Sequence, residues 1–307
     1  MATLPEVYKK VKPSIVAFVQ TVHRVADRSK EPVPKFPRIF GTGFVVDERG
    51  IIATNQHVVD AFSKVPTAPG EPPVLAVVFV KAEDHIKILP VRKIREMFIA
   101  SFRHGENYSG PPSPDIALVK IAARNLPALE LDSEIPSEGD EVATSGFPMG
   151  TRAFVSADGR LEQLTPTLQR GIVSAILPFP CPYPHGLVLN MMVQGGASGS
   201  PVFNTKTGKI GGAISGRRFD TTLSVTWPTN YSLAVPARYI QEILTHARGD
   251  AEFMSIDGIP TIEEIIATRS TKDIQKDSGF KFVPDAEIGP GNGQMETVPP
   301  DDTSAEA

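Results

Sequence analysis

Apolar residues along this chain fall mostly into short runs or strict alternation, rich in Val and Ile and bounded by Gly, Pro, Asn and Asp. That pattern predicts β-strands rather than helices. A first set of strands covers 15–22, 38–46, 51–54, 74–81, 86–94 and 116–121. A polar loop with Pro32, Pro34 and Pro37 separates the first two. The strand 51–54 ends a hairpin, and His57 follows in the next turn. The stretch 61–73 is proline-rich and reads as a surface loop. Another long loop, 101–114, delivers Asp115 to the head of the strand 116–121. Residues 125–139 read as a crossover. A second set of strands then covers 141–146, 171–177, 187–192, 201–203, 209–215 and 231–235. Lys206-Thr207-Gly208 suits a hairpin turn between two of them. From Pro236 the period changes: Ile240, Ile243 and Leu244 share one face of a helix running to about 246. A short amphipathic helix is expected within 259–267.

Charge and composition change this picture at one end. The net charge of −4 hides an asymmetry. Residues 1–248 hold 27 Lys+Arg against 22 Asp+Glu, whereas 249–307 hold 4 against 13. The last stretch therefore reads as an acidic, largely disordered tail, with the least order beyond about 280. At 307 residues and 41% hydrophobic content, the remainder is long enough for two domains or one large core. No apolar run approaches the ~18 residues of a spanning helix, so no membrane partner is expected. Lys9, Lys10 and Lys12 are followed by no apolar stretch, so no secretory leader is expected. The lone Cys181 excludes an intramolecular disulfide and suits a reducing compartment. Together these point to a cytoplasmic protein. Basic helices, stacking motifs and zinc spacings are missing, so neither nucleic acid nor a metal or other cofactor is expected.

Candidate chemistry centres on Gln194-Gly195-Gly196-Ala197-Ser198-Gly199-Ser200-Pro201. Glycine accepts backbone angles that a Cβ forbids, so this run can form a tight loop whose N–H groups converge on one point. Ser198 would then present its hydroxyl beside the N–H groups of Gly196 and Ser198, the layout that acyl transfer through serine needs. The octapeptide alone also fits, less well, a glycine-rich hairpin turn. His57, in Thr54-Asn55-Gln56-His57-Val58-Val59, and Asp115, in Pro114-Asp115-Ile116-Ala117-Leu118-Val119-Lys120-Ile121, supply a base and an orienting carboxylate. The order His, Asp, Ser differs from that of subtilisins and of α/β-hydrolases, and Ser200 breaks the Gly-x-Ser-x-Gly elbow.

With these motifs in hand, the chain resembles the trypsin-like serine peptidases, and within them the HtrA (DegP-like) branch, over roughly residues 4–245. Leu4–Val16 of this sequence is similar to that branch's opening helix and first strand. Gly146-Phe147-Pro148-Met149-Gly150, Gly171-Ile172-Val173-Ser174 and Leu233-Ala234-Val235-Pro236 are similar to its later landmarks. The resemblance implies an all-β fold of two antiparallel β-barrels of the chymotrypsin/trypsin type. The first barrel would span about 12–124 and the second about 125–235, with a helix over 236–246 and the active site in the cleft. It also implies His57 as general base, Asp115 as its orienter, Ser198 as nucleophile and a polypeptide as substrate. No PDZ domain fits within 249–307.

By the same resemblance, the segment before Ser198 walls the primary pocket, and Ile214-Ser215-Gly216 pairs with the substrate backbone. Asn190-Met191-Met192-Val193 carries no acid, so Met192 and its neighbours favour an apolar side chain over Lys or Arg. These residues are equally suited to packing the second barrel. Three functions stay open: a serine endopeptidase, a peptide-binding module that turns over little, and an esterase, which the order of the three residues disfavours.

Overall fold

The computed structural model describes residues 2–20, 39–64, 74–82, 85–98, 114–148, 165–177, 184–222 and 225–268. Within them the protein is mostly β. The first six strands are β1 (Ile15–Gln20), β2 (Ile39–Asp47), β3 (Ile51–Thr54), β4 (Val74–Ala82), β5 (His85–Phe98) and β6 (Ala117–Ile121). They close into an antiparallel barrel in the order β1-β2-β3-β6-β5-β4. The next six are β7 (Glu141–Gly146), β8 (Thr167–Leu177), β9 (Gly186–Leu189), β10 (Pro201–Asn204), β11 (Ile210–Thr222) and β12 (Val225–Pro236). They close in the order β10-β11-β12-β9-β8-β7. Closure leaves no free sheet edge, which suits short strands with one apolar face.

Three apolar clusters explain the arrangement. Val16, Phe18, Val45, Ile52, Val58, Val119 and Ile121 belong to the interior of the first barrel. Val142, Val173, Leu187, Leu189, Val202 and Ile214 fill the second. The third joins the two: Ile15, Phe44, Ile51 and Leu118 of the first barrel pack with Ala143, Phe147, Phe203 and Val235 of the second. Alternate residues of one strand thus face the barrel interior and the neighbouring barrel, so β2 and β3 are buried on both sides. At adjacent residues the crossover is tied to both barrels. Leu129 donates its N–H to Val45 O at 2.9 Å, and Ile210 donates to Glu130 O at 2.9 Å.

Five α-helices and a 3-10 turn (Lys12–Ser14) complete the described chain: α1 (Leu4–Val11), α2 (Gln56–Ser63), α3 (Ala237–Arg248), α4 (Ala251–Met254) and α5 (Ile262–Thr268). Four expectations change. His57 lies on α2 rather than in a turn. The β11–β12 hairpin runs to Thr222 and Val225, well beyond the expected 215 and 231. The strand expected over 187–192 ends at Leu189. The compact body also passes the expected boundary at 248: Phe253, Met254, Ile262 and Ile265 are all buried in its clusters. Their apolar side chains, not the net charge of the stretch, decide where packing stops. The loop expected over 101–113, Cys181 and the tail beyond 280 lie outside the described residues.

Candidate active site

Strand β3 ends at Thr54, and the chain turns at once into α2. This places His57 in the helix's first turn, where the N–H groups of a helix have no partner within it. Asp115 supplies one. Its Oδ1 accepts the His57 backbone N–H at 3.0 Å, and its Oδ2 lies 2.6 Å from His57 Nδ1. One carboxylate therefore fixes both the main chain and the ring. Asn55, which sequence reasoning passed over, fixes the carboxylate's own backbone: its Nδ2 donates to Asp115 O at 2.7 Å. The imidazole is 49% exposed and the carboxylate 31%, so the pair is open to a substrate.

The glycine-rich loop faces this pair from the second barrel. Ala197 N–H bonds Gln194 O (3.0 Å), Gly199 N–H bonds Ile214 O (2.7 Å) and Ser200 N–H bonds Ala197 O (3.0 Å). The N–H groups of Gly196 and Ser198 take no backbone acceptor among the described residues. These are the two donors expected to receive a developing oxyanion. Gly196 has φ +93° and Gly199 φ +84°, so both glycines are required by the backbone itself. A methyl built on Gly41 would lie 2.6 Å from Val58 Cγ2 and 3.0 Å from Ser198 O. The residue after His57 and the backbone of Ser198 therefore converge on one glycine of β2. Ser198 makes no side-chain hydrogen bond to His57 among the described residues, as is common in substrate-free sites.

The expected substrate-binding residues separate. Ile214 is wholly buried, and both its backbone groups are used: its N–H donates to Ser200 O at 2.9 Å and its carbonyl accepts from Gly199. It supports the loop through both groups. The β11–β12 ladder skips Ser215, whose hydroxyl donates to Leu233 O at 3.3 Å. Around Gly216 a Cβ would meet nothing within 4 Å. Met192 is 46% exposed, whereas Met191 and Val193 are buried. No group of three or more His, Cys, Asp or Glu side chains suited to a metal ion occurs among the described residues.

A histidine held by a carboxylate, with a glycine-rich serine loop whose Gly196 and Ser198 N–H groups take no backbone acceptor among the described residues, is the kind of arrangement a nucleophilic-serine hydrolase uses. Comparison with known proteins agrees. The family model for the trypsin-like peptidase domain matches residues 41–212, more than half of the chain, and the protein belongs to that family of serine endopeptidases. Its curated relatives stand in the HtrA branch. A probable periplasmic serine endoprotease DegP-like protein of Halomonas elongata is 27% identical over 175 residues, 57% of this chain and 29% of the relative. That of Marinomonas sp. is 24% identical over 221 residues, 69% of this chain and 36% of the relative. The chain thus spans about a third of the length of these relatives. Among solved structures, the serine endoprotease from Yersinia pestis is similar at TM-score 0.48 and 19% identity, covering 80% of this chain and 66% of that one. The relatives are named periplasmic, so the cytoplasmic setting expected from the sequence finds no support in them. No described helix is long and apolar enough to cross a membrane.

Proposed function

We propose that the protein is a serine endopeptidase of the chymotrypsin-type barrel pair, hydrolysing polypeptides through an acyl-enzyme on Ser198. The observation that carries this reading is the double grip of Asp115 on His57, set opposite two unused N–H groups. Asp115 holds the tautomer with hydrogen on Nδ1, which leaves Nε2 free as the base. Nε2 takes the Ser198 proton as Oγ bonds to the substrate carbonyl carbon. The oxygen of that carbonyl becomes an oxyanion and accepts the N–H groups of Gly196 and Ser198. The C–N bond then breaks, and His57 gives its proton to the departing amine. Water repeats the sequence on the ester, releasing the acid and restoring Ser198.

Substrate selection rests on the same loop. The stretch 190–193 holds no carboxylate, and burying an unpaired Lys or Arg against it would be costly. Exposed Met192 favours a small or medium apolar residue at P1, such as Ala, Val or Leu. The peptidase domain would comprise both barrels and α3, with α4 and α5 packed onto them beyond the expected boundary at 248. A second reading, a peptide-binding module of low turnover, is favoured by one observation: Ser198 and His57 are not hydrogen-bonded among the described residues. A fluorophosphonate probe decides between the two. Stoichiometric labelling of Ser198 supports the endopeptidase, and an unlabelled but folded protein supports the module. Ser198→Ala and His57→Ala should each abolish nearly all cleavage of a peptide library, and the double variant should be scarcely worse, because the residues act as a unit.

A further inference from the structure

Thr42 lies in β2 between two glycines and is wholly buried. A buried hydroxyl must find partners, and every polar group of this residue has one. Its N–H donates to Ser198 O at 2.8 Å, and its carbonyl accepts the Thr54 hydroxyl at 2.7 Å. Its own hydroxyl donates to Gly196 O at 2.8 Å and accepts the Phe147 N–H at 3.2 Å. One residue of the first barrel therefore holds the carbonyls of Gly196 and Ser198. The N–H groups of these same two residues are the proposed oxyanion donors.

The turn that Thr42 grips has two possible forms. The bond from Ala197 N–H to Gln194 O closes a four-residue turn with Gly195 and Gly196 at its centre. Gly196 has positive φ and Gly195 does not, which is the type II pattern. A type I turn closes with the same bond but reverses the central peptide, and that peptide carries the Gly196 N–H. The aim of this N–H thus depends on Gly196 keeping its φ of +93°. Thr42 Oγ1 anchors the next peptide through the Gly196 carbonyl, while Thr42 N–H anchors the peptide after Ser198.

We infer that Thr42 is a positioning residue for the oxyanion hole: it clamps the loop from behind so that the Gly196 and Ser198 N–H groups stay converged. This rests on the endopeptidase reading above. The clamp also predicts which kinetic constant responds. An oxyanion exists only in the transition state and intermediates, so misaimed donors lower kcat while leaving ground-state binding alone.

The experiment compares Thr42→Val, which keeps the shape and removes the hydroxyl, with Thr42→Ser, which keeps the hydroxyl. Thr42→Val should lower kcat on a peptide substrate about ten- to a hundredfold, short of the ~10²–10³ that deleting an oxyanion donor costs. KM should stay within about twofold, and Thr42→Ser should recover most of kcat. Unchanged kcat in Thr42→Val, or a loss confined to KM, overturns the inference. A crystal structure of Thr42→Val tests the clamp without any turnover: Gly196 should leave the positive-φ turn, and an unaltered loop overturns the inference. Should Thr42→Val fail to fold, Thr42→Ala, which sets no branched methyl against Gly196, carries the same expectations. Phosphonate labelling of the wild type separately tests the endopeptidase reading, so failure of one is distinguishable from failure of the other.

Discussion

Asp115 concentrates two jobs in one carboxylate, and the two can be separated by a single atom. Asp115→Asn retains an oxygen for the His57 backbone N–H but turns an NH₂ group toward Nδ1. The ring is then held in the wrong tautomer, so turnover should fall about 10⁴-fold while the fold survives. Activity within tenfold of the wild type, with an unchanged melting temperature, would remove Asp115 from its role. Gly199 makes a second case. A methyl there would lie 2.0 Å from Thr42 O, on a backbone at φ +84°. Gly199→Ala should therefore push Ser198 off its place, and phosphonate labelling should slow by more than tenfold. The three candidate catalytic residues were legible because their side chains carry the chemistry. Thr42 and Asn55 were not, since their work is done through hydrogen bonds to distant backbone, and no local pattern records which backbone that is.

At the scale of elements, strands were read more faithfully than helices. The nearly continuous burial of β2 and β6 follows from the fold, because one face of each strand meets the barrel interior and the other the neighbouring barrel. Helix α2 was missed because Val58 and Val59 carry strand propensity; here both are buried, and packing overrides the local preference. The β2–β3 turn offers a test of its own. Asp47 accepts the Arg49 guanidinium at 2.8 and 2.7 Å and the Arg49 N–H at 3.0 Å. Burial on its own would raise this carboxyl, but the hydrogen bonds and charge of Arg49 outweigh it and hold it below the ordinary value of 3.8. The folded state thus binds its proton less readily than the unfolded one. The stability this adds is full above the ordinary value and is lost as pH falls through the lower, folded one. Asp47→Asn should accordingly lose less melting temperature than the wild type between about pH 5 and pH 2. Equal losses would show that the contact carries no pH-dependent stability.

At the scale of the molecule, the two ends of the described chain matter more than their lengths suggest. Val7 and Val11 of α1 lie near Gly208 in the second barrel, and Tyr8 Oη bonds Ser145 Oγ at 2.8 Å and donates to Pro166 O at 3.0 Å. Helix α5 follows the second barrel yet packs Ile262 and Ile265 into the core of the first, where Ile262 N–H meets Arg124 O at 2.9 Å. Truncation after 248 should therefore lower the melting temperature by more than about 5 °C, the shift that ~2 kcal/mol produces in a domain of this size. Truncation after about 280, where the sequence offers little apolar surface to bury, should leave it nearly unchanged, and equal effects of the two would place the packing boundary elsewhere. The acidic composition of 249–307 concealed this, because few apolar residues suffice to dock a short helix when each is fully buried.

Because each end covers the barrel remote from it in sequence, the order of synthesis constrains assembly. The first barrel leaves the ribosome early, but the helix that packs onto it emerges only after the second barrel. A nascent chain arrested at 248 already contains His57, Asp115 and Ser198, yet it lacks Ile262 and Ile265 beneath Ala123 and Leu126. Such an arrested chain should take up phosphonate far more slowly than one released after 268. The peptidase would then carry its own delay, gaining a working site only after the helices that follow its second barrel have been made.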